Sequence, residues 1–200
     1  MKKLILVLLL LPFMAAAQQF PADGVYCSFP AFRNNKPDLV KEQLIKSVYN
    51  TEFTIRQWSG TEDLYYTSAN GVKSTLNRDS IWGFAENGVV FIYLGNRFHK
   101  IHTIGQISYF LESYPIIKGN MAPVVTETKA TSSYRLLDME TGDIYDYRVE
   151  TLSQLLAPDE AIFNEYKAIT SLKSKRKKMY LFLEKFNKEH PLKPWDISNK

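Results

Sequence analysis

Between Ser171 and Phe186 the chain reads "SLKSKRKKMYLFLEKF", where Lys173, Lys175, Arg176, Lys177 and Lys178 crowd together. Such a run suits the phosphates of a nucleic acid, an anionic lipid or glycan surface, or the wet side of a helix. Nucleic acid fits poorly. A broad basic surface with interleaved aromatics would support it, and the aromatics beside this run fall at helical core spacing. The run is read as a solvated helix face, with acidic glycan or anionic lipid as the partners it would attract.

His99 and His102 sit in "RFHKIHTIG". On a strand, a separation of three puts them on opposite faces, so they do not share a metal. His190 is far away, at the end of a helical pattern. Asp138, Glu140, Asp143 and Asp146 surround Thr141-Gly142. Their spacing does not match a calcium loop, and acidic residues beside a tight turn commonly form the turn itself. A glycosidase would need two carboxylates across a cleft. Cys27 is the single cysteine. It forms no internal disulfide, has no local base to activate it, and is expected to be a small buried side chain. Trp82, Phe84, Phe91, Tyr93 and Phe98 suit either a sugar or peptide groove or a sheet core. Most are assigned to core, with Trp82 and Phe84 sharing one face and Phe91 and Tyr93 sharing one face. Gly-x-Ser-x-Gly, a phosphate-cradling loop and His-Glu-x-x-His are all missing. The sequence thus assigns no catalytic residue, no metal site and no cofactor, and leaves the ligand-binding residues open.

The elements that position these groups begin after a leader. "MKKLILVLLLLPFMAAA" has a cationic start, an apolar run and small residues, the layout of a secretory signal peptide over residues 1–17. The apolar run is shorter than the roughly 20 residues that a membrane span wants. Residues 18–200 suit one domain, and 45% hydrophobic and 14% aromatic content argues for a folded, β-rich chain. Net charge is +4. Residues 18–158 are faintly acidic and the tail is basic. Such asymmetry suits an anionic partner or docking of the tail on its own body.

Ser28 and Pro30 predict a capped turn or short helix, stopped by Asn34, Asn35 and Pro37. Alternation predicts strands over 51–58 and 63–68, with a turn at Asn70-Gly71. Asn87-Gly88, Gly95-Asn96 and Gly105-Gln106 punctuate residues 80–112 into an antiparallel meander of four strands. Thr141-Gly142 marks a further hairpin. Helices are expected from Pro158 to His190, with Asp159 and Glu160 at the positive end of the dipole. Their apolar stripe runs through Ile162, Tyr166, Ile169, Leu172, Arg176, Met179, Leu183 and Phe186, with a break near 170–174.

"DGVYCSFPAFRNNKPDL", "IWGFAENGVVFIYLGNRFHKI", "LLDMETGDIYDY" and "FLEKFNKEHPL" resemble a group of uncharacterised exported proteins of Bacteroidota-type bacteria. The resemblance implies export and a shared β-rich body. It implies no activity, cofactor or site residue.

The expectation is an α+β domain: a mostly antiparallel β-sheet over 18–150, possible as a barrel, followed by C-terminal α-helices over 158–190 packed on it. The expected role is a non-enzymatic binding or structural protein of the cell envelope, periplasmic or extracellular. The alternatives are a hydrolase acting on envelope glycan or peptide, and peripheral membrane attachment through the basic helix.

Overall fold

The computed structural model describes residues 21–45, 63–114 and 131–192. The leader over 1–17 and the strand expected over 51–58 lie outside these residues.

The fold is α+β. β1 (Gly24–Tyr26) leads into the short helix α1 (Phe29–Arg33). The Ser28 hydroxyl caps α1 by accepting from the Ala31 amide, with Pro in the first turn. β2 (Leu64–Thr67) and β3 (Lys73–Leu76) form a separate hairpin. β4 (Gly83–Glu86), β5 (Val89–Leu94), β6 (Arg97–Thr103) and β7 (Ile107–Tyr114) are the expected meander, and β8 (Thr131–Asp138) and β9 (Ile144–Asp146) extend it. With β1 beside β4, seven strands form one antiparallel sheet. Asn87 and Gly88 both adopt positive φ, 52° and 72°. That is the primed turn whose twist matches two antiparallel strands, and it joins β4 to β5 with Glu86 opposite Val89.

The sheet is open. Among the described strands β1 pairs with β4 alone, besides an isolated bridge from Val25 to Leu39, and β9 pairs with β8 alone, so no barrel closes. It curls instead, because α1 spans its two ends. Arg33 Nε donates to the Met139 carbonyl at 2.6 Å. The Phe29 ring lies against Gly142, where an added Cβ would stand 2.5 Å from Cδ1. Inside the curl one core joins Tyr26, Phe32, Val90, Ile92, Phe110 and Leu137. Each such side chain, fully buried, contributes about 1.5–3 kcal/mol.

The outer face is covered at both ends. The β2–β3 hairpin packs Leu64 against Val25, Ile81 and Phe84. β1 is therefore buried on both sides, with Val25 in the outer core and Tyr26 in the inner one. At the other end lie α2 (Val149–Leu156), α3 (Glu160–Lys167) and α4 (Leu172–Glu189). Helix starts before Pro158, since α2 precedes it. Asp159 caps α3, and the expected break falls between Lys167 and Leu172. Met179, Phe182, Leu183 and Phe186 carry the buried face of α4 onto Ile107 and Leu136. Arg176 and Leu172 are exposed and leave the expected stripe.

Candidate functional site

The period-two alternation of β7 points Ile107 and Tyr109 toward the helices and Ser108 and Phe110 inward. β8 does the same with Tyr134 and Leu136 outward and Leu137 inward. The register places Tyr109 opposite Leu136 and Leu111 opposite Tyr134. Tyr109 and Tyr134 are thus diagonal neighbours, and their rings stack at 5.2 Å. Tyr147, at the exit from β9, meets Tyr109 edge-on at 5.1 Å. Its amide donates to the Tyr134 carbonyl at 3.1 Å. α4 adds Tyr180, 5.9 Å from Tyr109, whose hydroxyl lies 3.4 Å from Thr103 Oγ1. Four tyrosines from four segments form one surface. Tyr134 is 50% exposed, Tyr180 43% and the neighbouring Leu181 58%.

Burial, then the neighbouring phenols, raises the Tyr109 hydroxyl above its ordinary range. Burial, then Tyr166, Tyr180 and Tyr134, pushes Tyr147 up to about 12. Both remain neutral phenols, able to donate and accept hydrogen bonds. Beside them runs a basic strip. Arg176 and Lys177 lie four and three residues before Tyr180, and Lys173 one turn earlier, so helical spacing sets all three on its side. Lys175 departs from that strip, with its Nζ 5.6 Å from the centre of the Tyr166 ring.

A pocket of about 420 Å³ opens at this edge, lined by Tyr147, Arg148, Val149, Glu150, Arg176 and Met179. A chain of charges reaches it from within the sheet. The buried Glu112 accepts from Arg135 Nε at 2.5 Å. Arg135 also pairs with Asp146. Asp146 in turn holds Arg148 Nη2 at 2.7 Å. Breaking such a pair by removing one partner is costly, because the remaining buried charge is uncompensated.

A second cleft, of about 700 Å³, runs along the end of α4, lined among others by Asp138, Glu140, Gln154, Glu189 and His190. His190 Nε2 stands 2.8 Å from Asp159 Oδ2. No Ser, Thr or Cys is among its described lining residues.

The residues singled out by sequence are dispersed. Only Asp138 and Glu140 of the acidic group reach the second cleft. Asp143 accepts from the Tyr145 hydroxyl at 3.3 Å, and Asp146 belongs to the charge chain. No group of three or more metal-binding side chains is assembled among the described residues. His99 is buried and His102 exposed, as opposite strand faces require. His99 Nε2 lies 3.0 Å from the Leu94 carbonyl.

Cys27 is half-buried rather than buried. Burial and the Asp38 carboxylate push its thiol up to about 11. The five aromatics all make ring contacts. Phe84 stacks on its cross-strand partner Phe91 at 4.7 Å, and Tyr93 pairs with Phe98 at 5.0 Å. Trp82 and Phe84 do not share a face. Trp82 precedes β4 and stacks on Phe32 at 4.6 Å in the inner core, while Phe84 belongs to the outer one. The tyrosine surface went unread because its members lie far apart in the chain. The only signal for it was the count of 12 tyrosines.

Comparison of the chain with protein families, with curated proteins and with solved structures gives no match. Among the described residues no helix is long and apolar enough to cross a membrane.

Proposed function

We propose that this protein is exported and serves as a non-enzymatic binding protein of the cell envelope, holding an acidic polysaccharide on its tyrosine face. One observation carries the reading: Tyr109, Tyr134, Tyr147 and Tyr180 come together beside Arg176 and Lys177. Tyrosine offers an apolar ring face and a polar tip in one rigid side chain. Sugar rings present apolar C–H faces flanked by hydroxyls, which suits that combination. The basic strip complements negative charge on the chain of sugars. The leader-like residues 1–17 support export, and so does the resemblance to exported proteins. Membrane attachment through α4 is less well supported, because Met179, Leu183 and Phe186 face the core and not the lysines.

The test is affinity electrophoresis of the mature protein, residues 18–200, through gels containing polygalacturonate or neutral dextran. Retardation by polygalacturonate alone is expected. Tyr134→Ala and Tyr180→Ala should each weaken it by about tenfold, the scale of a truncated aromatic anchor. Salt should weaken it as well, since the charges are exposed. Three results would overturn the proposal: no retardation, binding to vesicles of anionic phospholipid instead, or release of reducing ends from the polysaccharide. The last would point to the carboxylate-lined cleft and a hydrolase.

A further inference from the structure

We infer that His102 is a further binding residue of the tyrosine face, one that makes its hold on an acidic polysaccharide tighten as the pH falls. The inference rests on the reading of that face as a glycan surface, and it names how the surface is regulated.

A regular strand sends successive side chains to opposite faces. On β6, Ile101 belongs to the inner core, so regular alternation would send His102 outward and Thr103 inward. Both reach the outer face. The His102 ring lies 6.4 Å from that of Tyr109, tilted by 51°. Thr103 Oγ1 stands 3.4 Å from the Tyr180 hydroxyl of α4. The register explains this. Ile101 pairs with Phe110 and Thr103 with Tyr109, so two steps along β6 match one step along β7. That is a β-bulge, a device that re-aims side chains and recurs beside functional sites. The extra residue is His102, and it is exposed. Strand order puts it across Tyr109 from Tyr134, so its imidazole extends the aromatic surface over β6.

A neutral imidazole donates from one nitrogen and accepts at the other; a protonated one donates from both and carries charge. That change falls between pH 5 and 8. Carboxylates and ammonium groups of ordinary pKa keep their charge across most of that window, the uronates of the polysaccharide included. Around His102, β6 supplies the exposed Lys100 two residues earlier on the same side. On α4, Lys177 and Glu184 lie about one turn to either side of Tyr180. β7 supplies the neutral Tyr109, while its Glu112 pairs with Arg135. β5 carries no charged residue from Val89 to Leu94, and Glu86, opposite Val89 on β4, is buried. His102 thus adds a switchable positive charge to a face whose other charges are fixed.

The test is calorimetric titration of the mature protein with oligogalacturonate at about pH 5.5 and about pH 8, on either side of the imidazole range. Binding should be about fivefold tighter at the lower pH, the scale of one exposed charge pair. At the lower pH the His102 ring protons should shift on addition of the sugar. His102→Gln should bind with the affinity of the unaltered protein at pH 8 and lose the pH difference. His102→Lys should restore tight binding at both pH values. Both variants should keep the urea midpoint, because the side chain is exposed, which separates a binding role from a structural one. Equal affinity at the two pH values would overturn the inference, and so would a pH difference that survives in His102→Gln. If the unaltered protein is still retarded by polygalacturonate while these results fail, His102 loses its role and the tyrosine face stands. Absence of binding at both pH values removes both.

Discussion

Asn187 on α4 does for Ile107 what a neighbouring strand residue would do. Its Oδ1 accepts from the Ile107 amide, and its Nδ2 donates to the Ile107 carbonyl, both at 2.8 Å. Ile107 starts β7 and is 2% exposed. Asn187→Leu removes both bonds and leaves two backbone groups in an apolar setting. Each loss is worth about 1–2 kcal/mol, the lower part of the range for a buried group left unsatisfied, because Ile107 borders the second cleft. The expected cost is roughly 2–4 kcal/mol, a large share of the 5–15 kcal/mol that typically holds a domain together. Urea unfolding followed by fluorescence should show the midpoint falling by about 1–2 M with an unchanged slope. Asn187→Asp keeps the acceptor, loses the donor, and should fall between. Gly105 provides a second perturbation of the same contact, because a Cβ there would stand 2.3 Å from Asn187 Cγ. Gly105→Ala must displace Asn187, so its cost and that of Asn187→Leu should not add. A loss below about 0.5 kcal/mol for Asn187→Leu, within the range of ordinary surface substitutions, would refute the idea that this residue latches the helices to the sheet. Full additivity of the pair would refute it too.

Three further outcomes follow from particular contacts. Gly142 has φ +85° and faces Phe29, whereas Gly71 has φ +80° and open space. Gly142→Ala should cost roughly 1–3 kcal/mol and clearly more than Gly71→Ala in urea unfolding; equal costs would mean that α1 does not press on this turn. The Asp159 carboxyl is held below its usual range, first by the Ile162 amide and then by His190. Its stabilising contribution is therefore complete above the ordinary carboxylate pKa and is lost as pH falls through the lowered value. Asp159→Asn should flatten the acid side of the stability–pH curve, and an unaltered acid limb would contradict this. Cys27, with its thiol raised to about 11, should react with a thiol reagent at pH 8 roughly a hundredfold more slowly than an ordinary cysteine of pKa about 8.5, and faster in Asp38→Asn; reaction at the ordinary rate would deny the burial and charge assigned to it.

Local geometry was legible in the sequence wherever one short segment decides it. Asn87-Gly88 and Gly95-Asn96 all take positive φ, because few other residues do so cheaply. The Ser28 cap was legible for the same reason, since it bonds an amide three residues on. The apolar spacing of Met179, Leu183 and Phe186 marked the buried side of α4. α2 was not legible. "YDYRVETLSQLL" continues a β-like run, and Arg148 gives the helix no side-chain cap to announce its start.

By itself the sequence determined the period of each segment and the backbone signs of its turns, and hence an antiparallel sheet followed by helices. These are properties of residues within a few positions of one another. Only the tertiary structure decided that the sheet stays open with α1 across its ends. It alone gathered Tyr109, Tyr134, Tyr147 and Tyr180 beside Arg176. Those meetings depend on strand order and on the docking of α4 over Ile107 and Leu136, which bring together residues more than 70 positions apart. Period and turn chemistry carry no record of separations that long.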